Sequence, residues 1–561
     1  MSTRHLAFWP PGTPQSLTLP ATSLWYNLEV SATRFPEKPA TVFYDSVVTY
    51  GALKRDAERL AGFLQSVCGV KRGDRVCLYL QNSPQYVIGY YAILRADAVV
   101  VPINPMSVTG ELSYLLADSG ARTVIVAQDR YDQLQPLLAE HPELRAVVVT
   151  YADHLTTETE LAVPAVLRAP RIAPSEPGVF AWANAVAKDV APGPHVGDPD
   201  DLCVLPYTSG TTGHPKACMH THRSVMHVTA MTPVWHRQSQ DDVALTVLPL
   251  FHVTGMQNAM NAPIYAGATM TIMARWDRAV AAALIARYKV TCWTSVPVMV
   301  VDLLSSPDLH TYDLSSLKLM NGGGAAMPEA VATKLKELCG LTYLEGYGLS
   351  ETMAATHLMP PHHPKKQCLG VPTFHVDSRV VNPETLEEVA AEETGEVVTH
   401  GPQVMKGYWN KPEANARAFV EIDGKRFLRT GDLAKVDEEG YFFMIDRVKR
   451  MINASGFKVW PAEVETLLYA HPAIQEATVI SQSDPRRGET VKAVVVLVPA
   501  LADTVDEPAL IEWARTQMAA YKVPRSFEFV AALPRSGTGK ILWRTLQEQE
   551  DARSAARATE S

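Results

Sequence analysis

The chain has 561 residues, of which 47% are apolar and 20% charged, with a formal net charge of −9. That is the make-up of a globular protein large enough for several domains' worth of core. The acidic balance and the absence of any Lys/Arg block exclude a nucleic-acid binder, and no run reaches the ~20 apolar residues of a membrane span. The first twenty residues lack a basic region followed by an apolar core, so no signal peptide is expected and the cytoplasm is the expected location. The seven cysteines show no Cys-x-x-Cys pairing and are expected as reduced thiols rather than a disulfide framework or zinc site.

Residues 1–20 read as an extended, proline-punctuated lead-in. A helix is predicted over 51–67, where Leu53, Leu60, Ala61 and Leu64 fall near helical spacing. Residues 76–80, 98–102 and 123–127 read as buried strands, with a helix over 84–94 between the first two. Strands alternating with helices predict a parallel sheet covered on both faces. Residues 161–200, rich in Pro and Ala, read as a surface connection. The apolar run 202–204 is a further strand, and it leads into the most distinctive stretch of the chain.

That stretch is Tyr207-Thr208-Ser209-Gly210-Thr211-Thr212-Gly213-His214-Pro215-Lys216. Gly210 and Gly213 let the backbone turn its N–H groups towards an anion. Thr208, Ser209, Thr211 and Thr212 add hydroxyl donors, and Lys216 adds a positive charge. Such a loop suits a polyphosphate. It is not a Walker loop, because the glycines stand too close together and Ala217 follows the lysine. Read alone, it is also compatible with a plain surface turn. Its ordered positions, however, resemble the phosphate-binding signature of the AMP-forming adenylate enzymes: acyl-CoA synthetases, peptide-synthetase adenylation domains and beetle luciferases.

The later motifs follow that family's order. Met219-His220-Thr221-His222 has a His-x-His spacing, but no Asp, Glu or Cys stands close by to complete a zinc shell. In Leu248-Pro249-Leu250-Phe251-His252-Val253-Thr254-Gly255-Met256 the resemblance places His252 on the carboxylate pocket. A lone His in an apolar run is otherwise a core residue. The segment holds no Asp or Glu to pair a substrate ammonium, so the pocket reads as built for a plain carboxylic acid. Asn321-Gly322-Gly323-Gly324-Ala325-Ala326-Met327-Pro328 has small side chains that let backbone approach a flat ring or acyl chain. It is equally a tight turn before a helix opened by Pro328.

Glu345-Gly346-Tyr347-Gly348-Leu349-Ser350-Glu351-Thr352 falls one glycine short of a nucleophile elbow, which excludes a serine hydrolase on this motif. The resemblance implies that Tyr347 stacks on adenine between Gly346 and Gly348, Thr352 donates to the α-phosphate, and Glu351, with Thr208, holds Mg²⁺. In acetate-specific relatives a Trp stands at the position of Gly348, and in long-chain bacterial relatives a Trp often stands at that of Met256. Their absence is expected to leave a long pocket, loosely gated by the Met256 thioether. Gly-Asp in Arg429-Thr430-Gly431-Asp432 is alone only a turn signal; the resemblance places Asp432 on the ribose hydroxyls. Asp446-Arg447-Val448-Lys449-Arg450 resembles the family hinge, with Lys449 at the pivot, Arg447 near ribose or phosphate, and Arg450 on a solvated face. Gly456 and Lys458 resemble the segment lining the CoA channel. Strands over 476–480 and 491–498 and helices over 462–469 and 508–519 build the small domain. Its Pro534-Arg535-Ser536-Gly537-Thr538-Gly539-Lys540 loop carries the family's catalytic lysine, Lys540. The tail after residue 549 is expected to fray.

The resemblance therefore implies an α/β fold: a large N-terminal domain of mixed sheets covered by helices (1–446) and a small mobile α+β C-terminal domain (447–561). It implies ATP and CoA as co-substrates and Mg²⁺ as the metal. The acid would become acyl-AMP and then acyl-CoA, with a medium- or long-chain fatty acid as the expected substrate. Lys540, Glu351, Thr208 and His252 would be the catalytic set, and no Ser-His-Asp set is evident. A homodimer fits the class. The rivals are an aryl-CoA ligase, an adenylation enzyme loading a carrier protein, a luciferase-like monooxygenase and a non-catalytic nucleotide sensor.

Overall fold

The computed structural model describes residues 3–208, 215–324, 327–447, 450–454, 457–484, 488–536 and 541–560. Two compact units emerge. The first comprises 1–377 and 399–428, the second 378–398 and 429–561.

The first unit is built on two sheets. One runs, in spatial order among the described residues, through His220–Thr221, Leu202–Val204, Val99–Pro102, Arg75–Tyr79, Thr123–Ala127, Arg145–Val149 and Val179–Ala181. All its pairings are parallel except that of His220–Thr221 with Leu202–Val204. The apolar runs of the sequence predict this sheet well, because a parallel strand buried on both faces must be apolar throughout. The predicted helices are present as Tyr50–Ser66, where the Thr49 side chain accepts from the Ala52 amide, and Pro84–Arg95, where Ser83 caps the Tyr86 amide. The region 161–200 is more than a connection, since Val179–Ala181 closes the sheet's edge beside Arg145–Val149.

The second sheet carries six central parallel strands, Pro39–Phe43, Thr269–Ile272, Val243–Thr246, Cys292–Ser295, Leu319–Gly323 and Tyr343–Leu349. Antiparallel strands stand at its two ends, Ser46–Thr49 at one, Ala354–Leu358 and Val371–Pro372 at the other. Three of its strands lead into segments singled out by the sequence. Val243–Thr246 leads to His252, Leu319–Gly323 to Gly324, and Tyr343–Leu349 to Glu351. The carboxyl ends of adjacent parallel strands are where open α/β sheets bind ligands.

The second unit holds a sheet formed by Phe457–Val459, Ile452–Ala454, Gly488–Leu497, Ile474–Asp484 and Ser526–Phe529. Helices Pro461–Leu468 and Glu507–Gln517 stand close to their predicted places. The tail does not fray at residue 549. Trp543–Glu560 is one helix, anchored where Glu550 meets Lys492 at 2.7 Å and Leu546 joins the core of Ile480, Val494 and Leu533. No helix of the described residues is long and apolar enough to cross a membrane, and all seven cysteines are free.

Candidate active site

The Thr208–Lys216 segment closes as a hairpin. Tyr207–Thr208 pairs antiparallel with Lys216–Ala217, so Thr208 and Lys216 face one another directly across the stem. Ser209, Gly210, Thr211, Thr212 and Gly213 lie outside the described residues. The stem is held from several sides. The Tyr207 hydroxyl donates to Asp118 Oδ2 at 2.8 Å, and Lys411 meets the other oxygen at 2.6 Å. Tyr114 donates to the Pro215 carbonyl at 2.8 Å. Asp118 and Tyr114 sit on the helix Thr109–Ser119, whose local sequence does not announce such a role.

The same stem is laced to Glu351. His220 Nε2 lies 2.7 Å from the Ser350 carbonyl, and burial pushes its pKa down to about 4, so the ring stays neutral and donates there. His222 Nδ1 accepts from the Leu24 amide at 3.2 Å. Both rings of the His-x-His pair are thus committed to scaffold bonds. The segment 405–409 runs beside the stem: Trp409 N donates to Ala217 O, and Met219 N to Gly407 O, each at 2.9 Å. Met405 N donates to Glu351 O at 2.9 Å. Tyr408 projects from this segment between the two charged groups. Its hydroxyl donates to Glu351 Oε1 at 2.7 Å, and Lys216 Nζ stands 4.5 Å from its ring centroid. Burial and the Glu351 charge both push the phenol pKa up, so it remains a donor.

Glycine explains the backbone here. A Cβ on Gly323 would lie 2.3 Å from the Gly346 carbonyl, and one on Gly322 only 1.9 Å from the Ser295 carbonyl. These positions let three parallel strands meet at the sheet's end. Gly348 obeys the same rule. Its Cβ would lie 1.7 Å from Ala354 O and 2.9 Å from Ala355 Cα, on the neighbouring strand at a register shift. The expectation that Gly348 leaves a pocket floor open is corrected: the missing side chain accommodates backbone. Met256, at the end of the same short helix as His252, is wholly buried.

Tyr347 is half-buried, its ring 5.5 Å from that of His357. Thr352 is buried, and its hydroxyl serves its own turn, donating to Ala354 O at 2.8 Å and accepting from Leu349 N at 2.8 Å. His252 opens the short helix Val253–Met256 and accepts from the Thr254 amide at 3.4 Å. Asn82 fixes this loop through Leu248 O (2.9 Å) and Leu250 N (2.8 Å), and Tyr86 donates to Leu250 O at 2.9 Å. Gly324 takes φ +84°; Ala325 lies outside the described residues.

A Ser-His-Asp grouping does exist, contrary to the sequence expectation. Ser23 Oγ lies 2.5 Å from His195 Nε2, and His195 Nδ1 lies 2.6 Å from Asp97 Oδ1. Ser23 is wholly buried, so the grouping ties the chain together with no route for a substrate.

In the second unit, Asp432 and Arg447 are cross-strand partners joined at 2.8 Å, with the Asp432 side chain 1% exposed. Arg450 does not lie on a solvated face. It is largely buried, pairs with Glu465, and lies 3.8 Å from Asp446. Asp446 in turn accepts from the Ala462 amide at 2.7 Å at the head of the helix Pro461–Leu468. Lys449, Gly456 and Lys540 lie outside the described residues, as does the side chain of Lys458.

The chain is similar to known proteins over nearly its whole length. The family model described as "AMP-binding enzyme" matches residues 28–409, and that described as "AMP-binding enzyme C-terminal domain" matches 463–540. A long-chain-fatty-acid–CoA ligase of Bacillus subtilis is 38% identical over 97% of this chain and 98% of its own length. A feruloyl-CoA synthase of an Amycolatopsis species is 36% identical over 90% of this chain and 95% of its own. The crystal structure of ATP-bound MatB from Rhodopseudomonas palustris superposes with a TM-score of 0.82 at 28% identity, covering 95% of this chain and all of that one.

Proposed function

The chain belongs to the AMP-binding enzyme family, and from that premise we propose that it activates a medium- or long-chain fatty acid to acyl-AMP and transfers the acyl group to CoA. The observation that carries the proposal is the meeting of Lys216, Tyr408 and Glu351 at the stem of a hydroxyl-rich loop. A cation and a carboxylate linked by one ring support a triphosphate site beside them.

Adenylation brings one anion onto another. The carboxylate oxygen attacks the α-phosphorus, and the bond to the bridging oxygen breaks as pyrophosphate leaves. The barrier is electrostatic, so the useful groups are donors and cations aimed at the developing charge. A fatty carboxylate is already ionised at pH 7, so no general base is required. Lys216, with Thr208 and the rest of the loop, receives the leaving phosphates. Lys540 bridges the attacking oxygen and the α-phosphate. Tyr347 carries the adenine, Asp432 the ribose hydroxyls, and His252 the wall of the carboxylate site. Glu351 suits Mg²⁺ by its chemistry, a carboxylate oxygen being a ligand this cation takes alongside substrate phosphates and water. Glu351 and Thr208 would hold the ion, which supplies neutralisation of phosphate charge.

In the second half-reaction the CoA thiolate attacks the acyl carbon and AMP leaves. We assign the functional division to 446/447, with Lys449 as pivot, Lys540 withdrawing, and Gly456 and Lys458 lining the CoA path. A cytoplasmic homodimer completes the proposal. The feruloyl-CoA synthase likeness makes an aryl-CoA ligase the second reading.

Pyrophosphate release with a panel of fatty and aryl acids tests the reaction, and Lys540→Ala tests the role. Loss of one such transition-state contact should slow adenylation about 10²–10³-fold. Synthetic acyl-AMP plus CoA should restore most of the rate. A variant equally slow from acyl-AMP would remove Lys540 from the first half-reaction.

A further inference from the structure

Tyr408 is held at every polar atom. Its amide donates to Asn415 Oδ1 at 2.6 Å, and its carbonyl accepts from Asn415 Nδ2 at 2.9 Å. Its backbone bridges Cys218, and its hydroxyl donates to Glu351 at 2.7 Å. The side chain is therefore a strut. It is 9% exposed, packed with Cys218, Met405 and Leu428. One end of the ring meets an anion, and a cation lies against the ring itself.

We propose that Tyr408 is a positioning residue of the phosphate site, its hydroxyl fixing the Glu351 carboxylate and its ring fixing the Lys216 ammonium. The inference rests on the adenylation reading above. Lys216 and Glu351 are separated by 135 positions in sequence and belong to different strands' ends, so nothing local sets their spacing. Tyr408 contacts both. A hydrogen bond from a phenol to a carboxylate is directional, and it restrains which carboxylate oxygen turns to the ligand. Among the described residues no ion pair holds the Lys216 ammonium, which leaves its N–H donors available to phosphate. A direct Lys216–Glu351 pair would spend both charges on each other.

The test uses the full-length enzyme and separates the half-reactions. Tyr408→Phe keeps the ring, the packing and the Asn415 clamp, and removes one oxygen. A lost hydrogen bond to a charged group predicts that kcat/KM for ATP in acyl-AMP formation falls about 10- to 100-fold. KM for the acid and thioester formation from synthetic acyl-AMP should stay within about twofold of wild type. ATP binding measured by calorimetry should weaken by about tenfold. In a Glu351→Gln background the same change should add little, because the charged acceptor is already gone. Asn415→Ala, which loosens the strut and leaves the phenol intact, should depress adenylation in the same direction and gives a second arm should the Phe variant fail to fold. Equal losses in the two half-reactions, wild-type adenylation by Tyr408→Phe, or full additivity with Glu351→Gln would overturn the proposal. If wild type itself forms no acyl-AMP with any acid, the adenylation reading fails instead.

Discussion

At the scale of single residues, chemistry was easier to read than geometry. Thr208 and Lys216 stand out because hydroxyls, charge and glycine cluster around them, whereas Glu351 and Asp432 draw their roles from the resemblance. Gly348 shows the limit: absence of a side chain reads as room for substrate, yet the neighbouring strand occupies that room. Gly348→Ala should therefore lower stability by about 1–3 kcal/mol, the usual cost of overpacking, and leave the chain-length preference unchanged. A stable Gly348→Trp enzyme that prefers acetate would restore the pocket-floor view. Glu345 offers a second test. It accepts from the Met327 amide at 3.1 Å, and burial raises its pKa from 4.5 to about 7. Between those values the unfolded chain ionises while the folded one keeps its proton. Its contribution to stability is therefore fully present below pH 4.5, falls as pH rises through that window, and is flat above it. Glu345→Gln should remove this fall, seen as a difference between the urea midpoints of the two proteins from pH 4.5 to 7. Parallel curves would mean that Glu345 titrates normally. Taking the difference matters, because buried His220, His222 and His227, held down to about 4, lend a slope of opposite sign.

At the scale of elements, buried strands and capped helices were legible, and side chains that join distant elements were not. The runs at 76–80 and 124–127 declare themselves by being apolar throughout. Tyr408, Asp118, Asn82 and Tyr86 each act on a segment at least 57 positions away, so no local period marks them. Arg450 looked solvated because Arg447, Lys449 and Arg450 form a charge run; its partner Glu465 arrives from the next helix. The helical tail was missed for the same reason, since Glu550 finds Lys492 58 positions away. The hinge prediction belongs here. Lys449→Pro fixes φ near −65°, so acyl-AMP formation should survive and thioester formation should collapse. Both half-reactions can be followed separately, by pyrophosphate release and by acyl-CoA production from synthetic acyl-AMP. Equal loss of both would place the pivot elsewhere.

At the scale of the whole molecule, substrate choice is the least local property, since no single residue now defines the pocket's depth. Gly348 is excluded from that role by the backbone beside it, and Met256 lies in the core at the end of the short helix that His252 opens. On the proposed reading, what remains is the character of the segment after His252. Val253, Thr254 and Gly255 carry no charge, and the loop before them is pinned by Asn82 and Tyr86. A rigid, uncharged wall discriminates by the apolar area it removes from water. Each further methylene should then contribute up to ~0.8 kcal/mol, a factor of about 4 in kcat/KM, until the pocket ends. The profile from acetate to stearate should climb steadily and break once, at the chain length that fills the pocket. A panel of saturated acids with ferulate and benzoate, measured by pyrophosphate release at low substrate, gives the answer directly. A maximum at acetate, or a flat profile, would refute a fatty-acid pocket. A preference for ferulate over every saturated acid would select the aryl-CoA reading, since a flat ring gains from shape what a chain gains from length.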